Sequence, residues 1–149
     1  MYLFLSYDES IHTYSDNIPI RFNVNLFETM DTRDGVFECG LTECHITCDS
    51  SINTQVLINC NIIETSHVYG RYLPTLRHLH LQSPYRSTSE SSGNEILHHL
   101  TFDKVYYQPV VKGSFKDISI IIDPVQGHSS YNLLSHIKAF TCVLHIRKK

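Results

Sequence analysis

Ile20, Phe22, Val24 and Leu26 alternate with Arg21, Asn23 and Asn25, and the same alternation returns twice further along the chain. Ile118, Ile120 and Ile122 repeat it, as do Phe140, Cys142, Leu144 and Ile146 against Thr141, Val143 and His145. A period of two sends successive side chains to opposite faces of an extended strand, so these stretches predict sheet with one buried face and not amphipathic helix. The strongest apolar run, Val56 to Ile63, is rich in β-branched residues and has no helix-period stripe. It breaks into a polar crossing centred on Gly70 and restarts after Pro74 as Leu76 to Leu81.

The remaining segments fit the same scheme. Tyr2 to Tyr7 reads as a short first strand, followed by a polar, turn-rich stretch from Asp8 to Asn17. Glu28 to Gly35 reads as a polar connection ending in the turn dipeptide Asp34-Gly35. Val36 to Cys48 is a long strand whose two faces are both mixed, which calls for a bulge, with Gly40 the candidate position. Asp49 to Asn53 reads as a turn. Ile96 to Tyr107 and Phe115 to Asp123 are further strands, Val125 to Ser135 is a polar loop, and Ala139 to Arg147 closes the chain. Residues 83–95, carrying Ser83, Ser87, Ser89, Ser91 and Ser92, predict an exposed loop projecting from one end.

About eight strands with almost no helix predict an all-β sandwich or barrel. In 149 residues this is one domain, with room for one continuous core. Jelly roll, immunoglobulin-like sandwich and lipocalin-like barrel are the candidates. The chain has no tryptophan, which immunoglobulin cores usually carry, and eight strands in this length suit an eight-stranded single jelly roll.

Charge and cysteine usage narrow the function classes. The net charge is −3, which leaves no basic footprint for nucleic acid, and the tail Arg147-Lys148-Lys149 reads as a solvated end. Only 18% of residues are charged while 11% are aromatic, which leaves sticky surface suited to burial against other copies. The five cysteines form no CxxC pair and read as reduced, buried thiols of a chain made in the cytosol. The opening apolar run Met1 to Leu5 is too short for a signal peptide, and no run has the length of a membrane span.

Motifs for chemistry are sparse. His78 and His80 lie two apart on a strand and share a face, as metal ligands can. The glutamate and glycines that accompany such a pair in cupins are missing, so these are weak candidates. His98 and His99 point to opposite faces. There is no Gly-x-Ser-x-Gly, no P-loop, and no carboxylate pair outside loops. The expectation is a non-enzymatic chain with no cofactor.

Several stretches occur together in a telling order. They are Tyr14-Ser-Asp-Asn17 before Phe22-x-Val24-x-Leu26, Gly35-Val-Phe-Glu-Cys-Gly-Leu-Thr-Glu43, Asn61-Ile-Ile-Glu64, Val68-x-Gly70 and Leu73-Pro74-x-Leu76-Arg77. Tyr107-x-Pro109-Val110, Ile118-x-Ile120 and Val143-Leu-His-Ile-Arg147 follow. In this order the chain resembles the penton-type minor capsid protein of Polinton (Maverick) elements and related adintovirus-like DNA viruses. Phe37 stands where that family usually has tryptophan, and the serine-rich loop is longer than usual there.

The resemblance implies a single jelly roll forming a homopentamer at the fivefold vertices of an icosahedral capsid. The implied partner is a double jelly-roll major capsid protein. It also assigns scaffold roles. Gly35 makes the turn into a core strand, Phe37 and Leu41 pack inside, Gly40 lets strands approach, and Gly70 takes an unusual backbone angle. Glu43 and Arg77 are charged positions for pairing, within a subunit or across the ring. The alternatives are a receptor- or carbohydrate-binding jelly roll, free-standing or trimeric, and a cupin-like metalloenzyme using His78 and His80.

Overall fold

The alternating stretches become the strands that line the core. In the computed structural model, which describes residues 1–49, 54–81, 95–125 and 134–149, eleven strands and one helical turn follow in order. They are β1 (Tyr2–Ser6), α1 (Tyr7–Ser10), β2 (Arg21–Asp31), β3 (Phe37–Cys48), β4 (Thr54–Cys60) and β5 (Ser66–Val68). Then come β6 (Arg71–Leu73), β7 (Thr75–Leu81), β8 (Ile96–Thr101), β9 (Tyr107–Pro109), β10 (Ser114–Pro124) and β11 (Ile137–Lys148). The serine-rich loop, apart from Glu95, lies outside the described residues, as do most of the 49–53 turn and the 125–135 loop.

Two antiparallel sheets hold the chain together. One runs β1-β11-β3-β8, with β9 also on β3; the other runs β2-β10-β4-β7. Both contribute to one core. Phe22 of β2 and Phe140 of β11 are fully buried from opposite sheets, with ring centroids 5.9 Å apart, and Tyr7 meets Phe22 edge-on at 6.3 Å. Ile118, Ile120 and Ile122 face Cys142, Leu144 and Ile146 within the same cluster. Each such side chain contributes about 2 kcal/mol by leaving water.

The long strand β3 resolves its mixed faces through a bulge, but not at Gly40. Against β11, Val143 pairs with Glu43 while Leu144 pairs with Leu41, so Thr42 is the extra residue. Before it, Cys39 and Leu41 point inward; after it, Cys44, Ile46 and Cys48 do. One inserted residue reverses the parity of a period-two pattern, which is why neither face reads as apolar throughout. Glu43 and His45 are thereby turned to the outer face.

Other expectations shift for equally local reasons. Glu28 to Asp31 is strand and not connection, because β10 pairs with β2 as far as Asp31 across a bulge between Phe115 and Asp117. The 96–107 stretch is two strands, β8 and β9, which pair with β3 on either side of the Thr42 bulge. The crossing after β4 folds into the β5–β6 hairpin, whose two turn residues Tyr69 and Gly70 have φ of 47° and 78°. Positive φ at both positions is the two-residue hairpin turn that glycine favours. The basic tail is not free: Arg147 and Lys149 lie 3.0 and 3.3 Å from Glu38, and β11 continues to Lys148.

The strand β8 carries one buried strain. His98 is 7% exposed, and among the described residues its Nε2 has no hydrogen-bond partner. Burial draws its pKa below the ordinary 6.5. A histidine held neutral in the fold takes its proton more readily when unfolded, so its effect on stability is absent above the unfolded pKa. Below pH 6.5 that difference destabilises the chain. Thermal unfolding from pH 8 to pH 5.5 is therefore expected to fall less steeply for His98→Leu than for the parent chain. Parallel slopes would remove His98 as the source.

Candidate functional site

Two opposite edges of the paired sheets carry exposed apolar side chains. On one edge, β1 and β2 are the terminal strands of their sheets and line two clefts together. Met1 and Leu3 share a cleft of about 330 Å³ with Leu26, Phe27 and Met30. Phe4 and Ser6 share another, of about 280 Å³, with Val24 and Asn25. Phe27 is 99% exposed and Phe4 75%. Both arise from alternation: in β1 the inward partner of Phe4 is Leu5, and in β2 the inward partner of Phe27 is Leu26.

On the other edge, β7 and β8 terminate the sheets. Leu97, Tyr106, Tyr69 and Tyr72 are exposed there or in the adjoining β5–β6 hairpin, Tyr72 by 76%. A groove of about 410 Å³ runs between Ser66 and Val68 of β5, Arg77 and His78 of β7, and Tyr106 and Gln108. Arg77 does not pair with Glu43. Its guanidinium sits 3.9 Å from the Phe102 ring centre and 4.7 Å from that of Tyr106, and Nη1 donates to the Lys104 carbonyl at 3.0 Å. Cation–π contacts of this kind contribute about 0.5–2 kcal/mol. They fix the 102–106 crossing between β8 and β9.

The outer face of the first sheet is polar and aromatic. Tyr2 stacks on His145 at 4.5 Å, and Tyr107 is hydrogen-bonded to His145 Nδ1 at 2.7 Å. Arg147 lies 3.6 Å over the Tyr107 ring. Gly40 is the residue paired with both His145 and Tyr107. A Cβ there would meet Val105 Cγ1 at 2.4 Å and the Tyr106 carbonyl at 3.1 Å, so close approach is what this glycine permits. Gly35 similarly leaves space for Lys148, whose Cε would lie 2.8 Å from an added Cβ. Leu41 is fully buried, and Phe37 is partly buried against the core.

Further along that face, Glu43 Oε1 accepts hydrogen bonds from His45 Nε2 at 2.7 Å and His99 Nε2 at 2.9 Å. These two bonds, that from His45 first, hold the carboxyl below its usual range. The ligand atoms of all three residues lie within 4.8 Å of one another, and no other group of three such residues does so among the described residues. His78 and His80 instead point outward from β7, and His78 bonds Gln55 Oε1 at 3.1 Å. The Glu-x-His spacing of Glu43 and His45 was readable in the sequence. The arrival of His99 from a different strand was not.

All five cysteines are free and buried. Burial pushes Cys44 and Cys60 up to about 12 and Cys48 up to about 11, and raises Cys39 and Cys142 as well. Such thiols are protonated at neutral pH and pack as small apolar groups. Among the described residues no helix is long and apolar enough to cross a membrane. Comparison with known proteins finds no matching family model, no matching curated protein and no matching solved structure.

Proposed function

We propose that this chain is a structural, non-enzymatic subunit: a single jelly roll that assembles as a homopentamer at the fivefold vertices of an icosahedral capsid. Its place of action is then the virion, and its second partner is a double jelly-roll major capsid protein. The observation that carries the reading is the pair of unlike apolar edges on opposite sides of the paired sheets. Phe4 and Phe27 mark one; Leu97 and Tyr106 mark the other. A ring closes through a heterologous interface, in which one edge of each subunit fits the opposite edge of the next. Tyrosine and phenylalanine at such edges match the enrichment of aromatics in interfaces.

The strand order supports the jelly-roll part. Taking only the two four-strand paths, successive strands β1, β2, β3 and β4 alternate between sheets, and β7, β8, β10 and β11 alternate again. Two interleaved Greek keys would produce this alternation. The sequence resemblance to penton-type minor capsid proteins supports the capsid part.

Mass measurement in solution tests the proposal. Light scattering of the purified chain is expected to give five copies per particle, and negative-stain images five-lobed rings. A monomer or a trimer at the same concentration overturns the pentamer, the trimer favouring a recognition module.

A further inference from the structure

We propose that Glu43, His45 and His99 form a binding site for a borderline divalent cation of the zinc class on the outer face of the first sheet. This inference stands whether or not the chain assembles into a ring. Three separate features of the fold converge on it. The Thr42 bulge turns Glu43 and His45 outward together, two residues apart on one face. The antiparallel register places His99 of β8 directly opposite His45. The two imidazoles stack with centroids 4.1 Å apart and planes within 16°, and both Nε2 atoms reach toward Glu43 Oε1.

That one carboxylate oxygen lies 2.7 Å from one nitrogen and 2.9 Å from the other. Zinc–nitrogen and zinc–oxygen bonds of about 2.0–2.2 Å put tetrahedral donors roughly 3.3 Å apart. The carboxylate oxygen is therefore slightly too close to each nitrogen for a metal as the side chains stand. Separating that oxygen from each nitrogen by about half an ångström would bring them to the required spacing. All three side chains are partly exposed, so an ion has access from solvent.

The chemistry of the donors selects the ion. Two imidazoles and one carboxylate suit zinc, copper, nickel or cobalt, whereas magnesium and calcium prefer all-oxygen shells. In the metal-free site each Nε2 carries a proton and donates it to ionised Glu43. A metal takes the Nε2 lone pairs, so both rings must move that proton to Nδ1. No net proton is lost from neutral rings, but both tautomers invert. A histidine that takes no part in binding keeps its tautomer.

The test uses the full chain freed of metal with a chelator. Calorimetric titration with zinc, and visible absorption with cobalt as the spectroscopic probe, are expected to show one equivalent bound. His99→Ala and His45→Asn should each weaken binding by at least about 100-fold, beyond the 10–100-fold seen for residues that only orient ligands. Unfolding curves without metal establish that each variant is folded. Should either fail to fold, the other carries the test, as does Glu43→Gln, which keeps the shape of the side chain but not its charge. The control His78→Ala/His80→Ala is expected to bind as the parent does. Nitrogen-15 NMR at saturating zinc should show His45 and His99 switching from the Nε2–H to the Nδ1–H tautomer. Binding that survives His99→Ala, binding lost in the control, or unchanged tautomers would overturn the site.

Discussion

Phe27→Asp combined with Phe4→Asp is expected to convert five-copy particles into monomers at concentrations where the unaltered chain assembles. Phe27 is 99% exposed and Phe4 75%, so neither substitution removes packing from the isolated subunit. Surface changes of this kind alter stability by about 0.5 kcal/mol or less. In the proposed ring both rings are buried against the next subunit, where each central aromatic is worth about 2 kcal/mol or more. Aspartate forfeits that contribution and adds the cost of burying a charge without a partner. Loss of about 3 kcal/mol or more per contact lowers each association constant by over 100-fold. Light scattering reads the mass, and thermal unfolding confirms that the monomer is intact. Particles of unchanged mass would show that this edge is not the contact.

Gly40→Val has the second large effect, and it falls on the fold. The mere Cβ of an added side chain would lie 2.4 Å from Val105 Cγ1 and 3.1 Å from a backbone carbonyl. The side chain of Val105 can rotate away, but the Tyr106 carbonyl can retreat only if β9 leaves β3. The pairs Glu38–Pro109, Cys39–Gln108 and Gly40–Tyr107 would then open, and the Tyr107–His145 hydrogen bond would be lost with them. Overpacking of this kind costs about 3 kcal/mol. In a chain of this size the melting temperature should fall by roughly 6–12 °C, and hydrogen exchange should quicken at the amides of Gln108 and Val110. Protection there equal to the parent's would sink the argument.

The two substitutions touch residues of very different legibility. Gly40 stands in a pattern that called for a special residue in a strand, and a glycine inside a strand often marks a close backbone approach. What could not be read was that the approaching backbone belongs to residues 105–107, about 65 positions later in the chain. Phe27 follows directly after an alternating run and before polar residues, so nothing local separates it from a buried residue at the end of a strand. Phe27 is turned outward next to buried Leu26, in the part of β2 between Asn25 and Met30 where the register with β10 shifts, and that shift is not written in the neighbouring residues.

The Tyr14-Ser-Asp-Asn17 stretch is a middle case. Its composition announced a turn, and the structure adds the reason for the particular residues. Asn17 is buried, donates to Ser10 Oγ and the Asn23 carbonyl, and accepts from the Asn23 amide. It thereby ties α1 to β2. Tyr14 hydrogen-bonds Asp117 on β10. The type of local structure was in the sequence, and the distant partner was not.

The sequence by itself determined that this protein is nearly all antiparallel strand, and it marked which residues of β2, β10 and β11 would be interior. Those are consequences of side-chain alternation, which acts between neighbours along the chain. Only the tertiary structure decided the place of the β3 bulge, the split between β8 and β9, and the meeting of Glu43 with His45 and His99. Each of these depends on the register between strands far apart in sequence. Register is set by how the pleated faces fit together across the core, and a shift of one residue would have turned every one of those side chains the other way.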